Sequence, residues 1–222
     1  MVAVVLSSLA LKGVLERLRP EAELGFDATQ AILRRLAAGE RADLLILTVE
    51  AMEELRRQGR VREVRALGGS GVGVAVRAGA PRPDISTKDA FLRTLLSASS
   101  VAHSKVGASG IYVASLLKKL NIEEKLKRRV IVEKGPVGLA VARGEAELGI
   151  QQLCELAPVP GIDIAGPLPG TLQVYTHFAA GVVTGAADPA AAAALVDLLC
   201  GAAARQAMRE GWIEPAGEQN RG

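Results

Sequence analysis

The sequence predicts an α/β fold with mostly parallel sheets, and three observations support this. Short apolar runs typical of buried strands alternate with segments of helical periodicity along the chain. A polar turn follows many of these strands and opens the next helix. Of the 222 residues 49% are apolar, which suffices for a sizeable core in one large domain or two lobes of roughly 100 residues each.

The first third of the chain shows the alternation most clearly. Val2–Leu6 is an apolar run that predicts a buried strand, and Ser7–Ser8 separates it from a helix with apolar residues at helical spacing. The other elements predicted here are strands at Leu24–Phe26, Asp43–Leu47 and Val72–Val76, a helix opening at Asp27–Thr29, and a charged amphipathic helix over residues 50–58.

The remaining sequence repeats this order after a proline-containing loop at Gly79–Pro83. Strands are predicted at Ser100–Ala102, Val130–Val132, Leu148–Gln152, Ile162–Ala165 and Leu172–Phe178. Helices are predicted over residues 87–97 with Ser86 as cap, after Lys105–Gly110, after Gly135–Pro136, and as one final helix over about 189–209. Because strands and helices alternate, parallel pairing is expected within the sheets.

Composition excludes several classes of function. Aromatic residues make up 3%, too few for a surface that stacks nucleic-acid bases, so no nucleic-acid partner is expected. The net charge of +3 is spread along the chain and mildly favours small anions. Cys154 and Cys200 are predicted to be buried free thiols, and with two histidines neither a metal site nor a cofactor is expected.

The sequence predicts neither a signal peptide nor a membrane-spanning segment. No signal peptide is visible after Met1, and the uncharged residues 167–187 contain Pro, Gly, Gln and His, so they are predicted to form a strand with loops. Direct membrane insertion is therefore not expected. The predicted location is the periplasm if a signal peptide has been removed, and otherwise the cytoplasm.

Polar residues recur where a strand becomes a helix, at residues 7–8, 27–29, 105–110 and 133–136. The carboxyl ends of parallel strands are where ligands bind in α/β sheets, and helix N-termini hold anions with free N–H groups. Convergence of these turns would therefore make an anion site. The alternative is that Ser8, Thr29 and Ser109 are ordinary helix N-caps.

The ordered set of these turns resembles the molybdate-binding protein family of ABC importers, in a divergent form. The motifs that carry the resemblance are Ser7–Leu9, Asp27–Ile32, Gly39–Leu44, Gly107–Tyr112, Arg143–Ile150 and Gly166–Pro169. The resemblance implies a type II periplasmic-binding-protein fold: two α/β lobes with mixed, mostly parallel sheets, joined by two hinge strands. The lobes would be residues 1–75 plus 176–222 and residues 76–175, with the hinge near 73–77 and 172–176, and hinge closure on the ligand is expected.

The resemblance also implies the ligand contacts. Hydrogen-bond donors would come from Ser7, Ser8, Thr29, Ser109 and Gly110, and Gln152 would stand on the far wall, where the family has a tyrosine. A small anionic ligand and an ABC importer are the implied partners. The charged residues near these turns, Asp27, Glu133, Lys105, Lys134 and Arg77, depart from a site made of neutral donors. Such charges favour a small carboxylate over molybdate or tungstate.

Two other functions are left open. Some proteins of this fold are similar to aconitate isomerase, which moves a proton next to carboxylates. In that case His103 would be the base and Lys105 or Lys134 the carboxylate clamp, with Glu133 and Glu155 as further candidates, while His177 is predicted to be structural. A sensor lobe without a DNA-binding partner is the third possibility, although no helix-turn-helix pattern is present.

Overall fold

The computed structural model describes residues 2–217. The chain divides into two compact units, the first formed by Met1–Ser70 with Thr176–Gly222 and the second by Gly71–Tyr175. The chain therefore passes between the units after Ser70 and after Tyr175. The hinge predicted near residues 73–77 and 172–176 stays a prediction.

Strands and helices alternate through most of the chain, as predicted. The strands are β1 (Ala3–Ser8), β2 (Ala22–Asp27), β3 (Leu44–Thr48), β4 (Val61–Arg77), β5 (Val101–Ser104), β6 (Arg129–Val132), β7 (Leu148–Gln152), β8 (Ile162–Pro167), β9 (Tyr175–Val183) and β10 (Glu214–Pro215). The helices are α1 (Lys12–Leu18), α2 (Thr29–Ala37), α3 (Val49–Arg57), α4 (Lys88–Ser97), α5 (Ala108–Lys119), α6 (Val137–Ala142), α7 (Leu153–Leu156), α8 (Pro189–Cys200) and α9 (Ala202–Glu210). Short 3-10 turns lie at Leu9–Leu11, Glu123–Lys125 and Gly170–Leu172.

The first unit is built on a mixed sheet with the strand order β2-β1-β3-β9-β4. Strand β1 pairs in parallel with β2 and β3, whereas β9 runs antiparallel to β3, and β10 runs antiparallel to β4. A core cluster of Leu6, Leu45 and Leu47 from the strands packs with Ile32 of α2 and Met52 of α3. This packing places the carboxyl ends of β1, β2 and β3 at one edge of the sheet.

The Asp43 carboxylate bonds to backbone N–H groups at the opposite edge of that sheet, where β1 and β3 begin. Its side chain is 6% exposed, and its two carboxylate oxygens accept hydrogen bonds from Val4 N at 2.8 Å and Ala187 N at 2.6 Å. Its backbone N–H also donates to Val4 O, and its carbonyl accepts from Val183 N. One buried carboxylate therefore fixes the start of β1 and the segment before α8 against β3.

The second unit contains the remaining strands. The end of β4 pairs antiparallel with β7 and with β8, and β5 lies between β7 and β6, parallel to both. Phe91 of α4 and Val113 and Leu117 of α5 pack with Val101 and Ile150 of the sheet in one core cluster. A second cluster joins α6 to β5 through Val137, Val141 and Ala102. The carboxyl ends of β5, β6 and β7 thus share one edge of this sheet.

Several details differ from the sequence prediction. The predicted final helix is two helices, α8 and α9, because the backbone is extended at Gly201. Thr87 rather than Ser86 caps α4, since the Thr87 hydroxyl accepts from Ala90 N. Cys154 is buried, whereas Cys200, which was also predicted to be buried, is only half-buried. The strand predicted to start at Leu172 starts at Tyr175.

The helices are short. Within residues 2–217 no single helix has both the length and the apolar character of a membrane span. Helices α8 and α9 meet those criteria only when taken together, and the chain bends by 58° between them.

Candidate functional site

Two serines, Ser7 and Ser8, end strand β1 of the first unit. Ser8 lies opposite Asp27 in the parallel pair of β1 and β2, and Ser7 is opposite Ile46 of β3. The Ser7 hydroxyl donates to the Ser8 carbonyl at 3.0 Å. The Ser8 hydroxyl is buried, with the residue 4% exposed, and has no hydrogen-bond partner among the described residues. A buried hydroxyl without a partner is costly, so it marks a place where a ligand or water completes the bonding.

Helices α2 and α3 also begin at this edge, and neither has a side-chain cap. The N-cap residues are Ala28 and Thr48, and the Thr48 side chain makes no capping hydrogen bond although threonine is well suited to it. Thr29 is the first residue of α2, and its hydroxyl accepts from Thr48 N at 3.4 Å. N–H groups in the first turns of both helices are therefore left without side-chain acceptors. Ser8 makes no capping hydrogen bond either, so neither Ser8 nor Thr29 is an ordinary N-cap.

The carboxylate of Asp27, predicted to oppose an anion, is engaged locally. One of its oxygens accepts from Ala28 N at 2.8 Å, and the other lies 4.0 Å from Nη1 of Arg35. Arg35 is shared with Glu40, whose carboxylate holds the pKa of the guanidinium above its usual value. The negative charge of Asp27 is therefore partly balanced within its own unit.

A matching edge in the second unit carries His103, Ser109 and Gln152. Ser109 lies in the first turn of α5 and is 5% exposed, whereas Gly107, the N-cap of α5, provides no side-chain cap. Gly110 packs against the end of β5: a Cβ on it would lie 2.9 Å from the carbonyl carbon of Ser104 and overlap the carbonyl oxygen. This close approach places the first turn of α5 directly beside the end of β5. Ser109 therefore lies in the first turn of α5 and is not its N-cap.

His103 is buried with a defined ring orientation. Its Nδ1 lies 3.0 Å from the Ser104 carbonyl oxygen, and because a carbonyl only accepts, Nδ1 carries the hydrogen in the neutral ring. Nε2 is then a bare lone pair, and it is buried without a partner among the described residues. The Nε2 amide nitrogen of Gln152 is buried and unpartnered in the same way. The Tyr112 hydroxyl is engaged elsewhere in the second unit, since it donates to the Leu172 carbonyl at 2.7 Å.

Gln151 and Glu155 form a second buried arrangement. The side-chain oxygen of Gln151 accepts from Val137 N, the first residue of α6, at 2.7 Å, and its nitrogen donates to the Glu155 carboxylate. Burial raises the pKa of Glu155 to about 7, against the opposing effect of the Gln151 hydrogen bond. Gln151 was not among the predicted site residues. The sequence signal that could have identified Gln151 is its position at the end of a strand, one residue before Gln152. Thr48, which was also not predicted, lies in the same way where strand β3 ends and helix α3 begins.

The three predicted cationic residues, Lys105, Lys134 and Arg77, differ in their ion pairs and in the edge of the sheet at which they lie. Lys105 forms an exposed ion pair with Glu133, with Nζ 2.9 Å from Oε2, so each offsets the other's charge. Lys134 makes no ion pair among the described residues. Arg77 does not belong to this edge: it pairs with Ile162, five residues along β4 from Val72, the partner of Gln152. At the 3.3 Å rise of a strand, this puts it at the far edge of the sheet, where it lines a separate cavity.

Comparison with known proteins places the chain in a family. Residues 21–211 match the family of bacterial extracellular solute-binding proteins, and the chain belongs to that family. It is 41% identical over 197 residues to a protein of Pseudomonas sp named aconitate isomerase, an overlap that covers 87% of this chain and 75% of the relative.

Solved structures show the same fold at low identity. The periplasmic molybdate-binding protein of Azotobacter vinelandii superposes with a TM-score of 0.73 at 17% identity, covering 95% of this chain and 98% of that one. The sulfate-binding protein SubI of Mycobacterium tuberculosis superposes with a TM-score of 0.71 at 16% identity, covering 99% and 88%. The predicted two-lobed periplasmic-binding-protein fold and the predicted family resemblance are confirmed.

Proposed function

We propose that this protein binds a small carboxylate anion with hydroxyl and amide groups at the ends of its parallel strands. One observation carries the proposal: three predicted ligand or catalytic residues, Ser8, His103 and Gln152, each have a buried polar atom without a partner in the part of the chain that the structure describes. The helices that start beside them leave N–H groups uncapped, which is the arrangement that holds anions at helix N-termini. Ser7, Thr29, Ser109 and Gly110 belong to the same proposed set of contacts.

A carboxylate is preferred over molybdate for two reasons. The relative named aconitate isomerase shares 41% identity with this chain, whereas the molybdate-binding structure shares 17% and supports the fold alone. The resemblance to the molybdate-binding family implies a tyrosine at the position of Gln152, and Lys134 is available for pairing with a carboxylate. In this proposal the protein is periplasmic, delivers its ligand to an ABC importer, and closes by hinge motion.

The first experiment is a thermal-shift screen of the whole chain. The panel is citrate, aconitate and malate beside molybdate, tungstate, sulfate and phosphate. A ligand at 100 times its Kd stabilises the folded state by about 2.7 kcal/mol, which is roughly 5–10 °C for a chain of this size. A shift with a carboxylate is expected. A shift with molybdate or tungstate alone would overturn the carboxylate proposal and leave an oxyanion-binding protein.

Calorimetry on variants then tests the residues. Ser8→Ala is expected to weaken carboxylate binding about 10- to 100-fold, since a hydrogen bond to a charged group contributes about 1.5–3 kcal/mol. Ser86→Ala is the matched control, because the Ser86 hydroxyl is exposed and bonds to Asp84. Unchanged affinity in Ser8→Ala would show that the proposed contacts in the first unit are wrong.

A second candidate function is isomerisation of aconitate, favoured by the relative of that name and by the free lone pair of His103. His103 Nε2 would take a proton from the methylene carbon next to a carboxylate, the electron pair would shift the C=C bond, and the proton would return at the former vinylic carbon. Atoms and charge balance, and no oxidant is needed. General-base catalysis of this kind contributes typically 10²- to 10⁴-fold to a rate.

Turnover separates the two functions. Incubation with cis-aconitate in D2O, followed by NMR, would show the trans isomer and deuterium on carbon if the chain is an isomerase. His103→Gln should then lower kcat at least 100-fold with little change in KM. Binding of aconitate without isomerisation or deuterium exchange would exclude the enzyme and leave the binding protein.

A further inference from the structure

His103 and Gln152 lie on the same face of the sheet in the second unit. Strands β5 and β7 are parallel neighbours, and His103 is opposite Ile150. Gln152 is two residues beyond Ile150, so its side chain leaves the sheet on the same side as that of His103. The two residues are 4% and 3% exposed. Both residues therefore carry an unpartnered buried nitrogen on the same face of two adjacent strands.

The two nitrogens have opposite hydrogen-bonding character. His103 donates through Nδ1 to the Ser104 carbonyl, which leaves Nε2 as an acceptor in the neutral imidazole. The Gln152 amide nitrogen is a donor. A ligand that satisfies both must bring a hydrogen to His103 and an acceptor oxygen to Gln152.

We infer that this pair selects a carboxylate bearing a hydroxyl group, an inference that rests on the proposed function and names its ligand class. The hydroxyl of a hydroxycarboxylate donates to His103 Nε2, and a carboxylate oxygen accepts from Gln152. Carboxylates without the hydroxyl leave His103 Nε2 buried without a partner. Fully deprotonated tetraoxoanions place a lone pair against it. Buried groups that are left unpaired produce the strongest discrimination between otherwise similar ligands.

Ligand pairs that differ by one hydroxyl test this directly. Citrate is compared with propane-1,2,3-tricarboxylate, and malate with succinate, by calorimetry on the whole chain. The hydroxylated member is expected to bind about 10- to 100-fold more tightly in the pair that fits the site. Equal affinity within the pairs would overturn the inference while the proposed carboxylate binding stands. Absence of binding by all four would overturn the inference, whereas the proposed carboxylate binding would be overturned only if aconitate also fails to bind.

Variants assign the preference to these residues. His103→Leu is expected to bring the affinity ratio within a ligand pair close to one, whereas His103→Gln, which keeps an acceptor oxygen, is expected to retain part of it. His177→Leu is the matched control, because His177 is the other histidine of the chain and is exposed on β9. Gln152→Glu replaces the donor with a carboxylate and should lower the affinity of all four ligands. Unfolding temperatures without ligand check that each variant folds, and a ratio unchanged in folded His103→Leu would overturn the assignment.

Discussion

Asp43→Asn is the substitution whose cost the structure defines best. Both carboxylate oxygens of Asp43 accept backbone hydrogen bonds, one from Val4 N at 2.8 Å and one from Ala187 N at 2.6 Å. Asparagine keeps one acceptor and turns an NH2 group toward the other N–H. One charge-assisted hydrogen bond is lost, and one donor is left unpaired beside a residue that is 6% exposed. The expected loss of unfolding free energy is about 2–4 kcal/mol.

Glu147 provides the matched control in the second unit. It precedes β7 as Asp43 precedes β3, but only one of its oxygens is used, accepting from both Ser99 N and Ser99 Oγ at 2.7 Å. Glutamine can offer its carbonyl oxygen in the same position. Since Glu147 is also exposed, Glu147→Gln is expected to cost less than about 1 kcal/mol.

The assay uses the single tryptophan. Trp212 lies in the first unit, so its fluorescence during urea unfolding reports on the unit that contains Asp43. Circular dichroism follows both units in a parallel thermal scan, where 2–4 kcal/mol corresponds to roughly 4–16 °C in Tm. A cost below about 1 kcal/mol for Asp43→Asn, or an equal cost for Glu147→Gln, would refute the argument that doubly bonded acceptors fix the edge of the first sheet.

Three further predictions follow from the described contacts. Because burial raises the pKa of Glu155 to about 7, the folded state keeps a proton that the unfolded state releases near pH 4.5. The free energy of unfolding should therefore fall as pH rises from about 4.5 to 7. Glu155→Gln should remove this pH dependence in urea titrations at several pH values. Gly110→Ala should displace the start of α5 from Ser104 and weaken ligand binding at least 10-fold by calorimetry, and an unchanged affinity would show that α5 yields without cost. A thiol reagent should label Cys200 faster than Cys154 in the native chain and both alike in urea, since Cys154 is buried and Cys200 half-buried.

Local patterns in the sequence predicted most of the fold. Buried strands such as Leu44–Leu47 are continuous apolar runs, and the helices between them have strong periodicity, so both are visible without tertiary information. The long strand β4 was only partly predicted. Its first half, Val61–Ser70, is mixed in polarity and contains glycines, and it is a strand because β9 and β10 pair with it.

The sequence predicts which residue types lie near the candidate site, but it does not predict the hydrogen bonds and ion pairs that they form. Sequence order places serines at strand ends, and it cannot show that Asp27 bonds to its own turn or that Lys105 is paired with Glu133. Arg77 was assigned to the wrong edge for the same reason. Arg77 follows an apolar strand, as the other candidates do. Strand β4 runs antiparallel to β7, however, so the carboxyl end of β4, where Arg77 lies, is at the edge of the sheet opposite to the carboxyl end of β7.

Side-chain caps are absent from the helix starts beside the candidate site, although α1 and α9 lack them too. Helices α4 and α8 follow the long strands β4 and β9, and Thr87 and Asp188 cap them with side-chain hydrogen bonds. Helices α2, α3 and α5 start at the carboxyl ends of parallel strands and have no such bond, even where Thr48 could supply one. An N-cap contributes about 0.5–2 kcal/mol, so the chain forgoes this stabilisation at three helix starts. In the proposed function, an anion bound to the free N–H groups at these three starts would restore it.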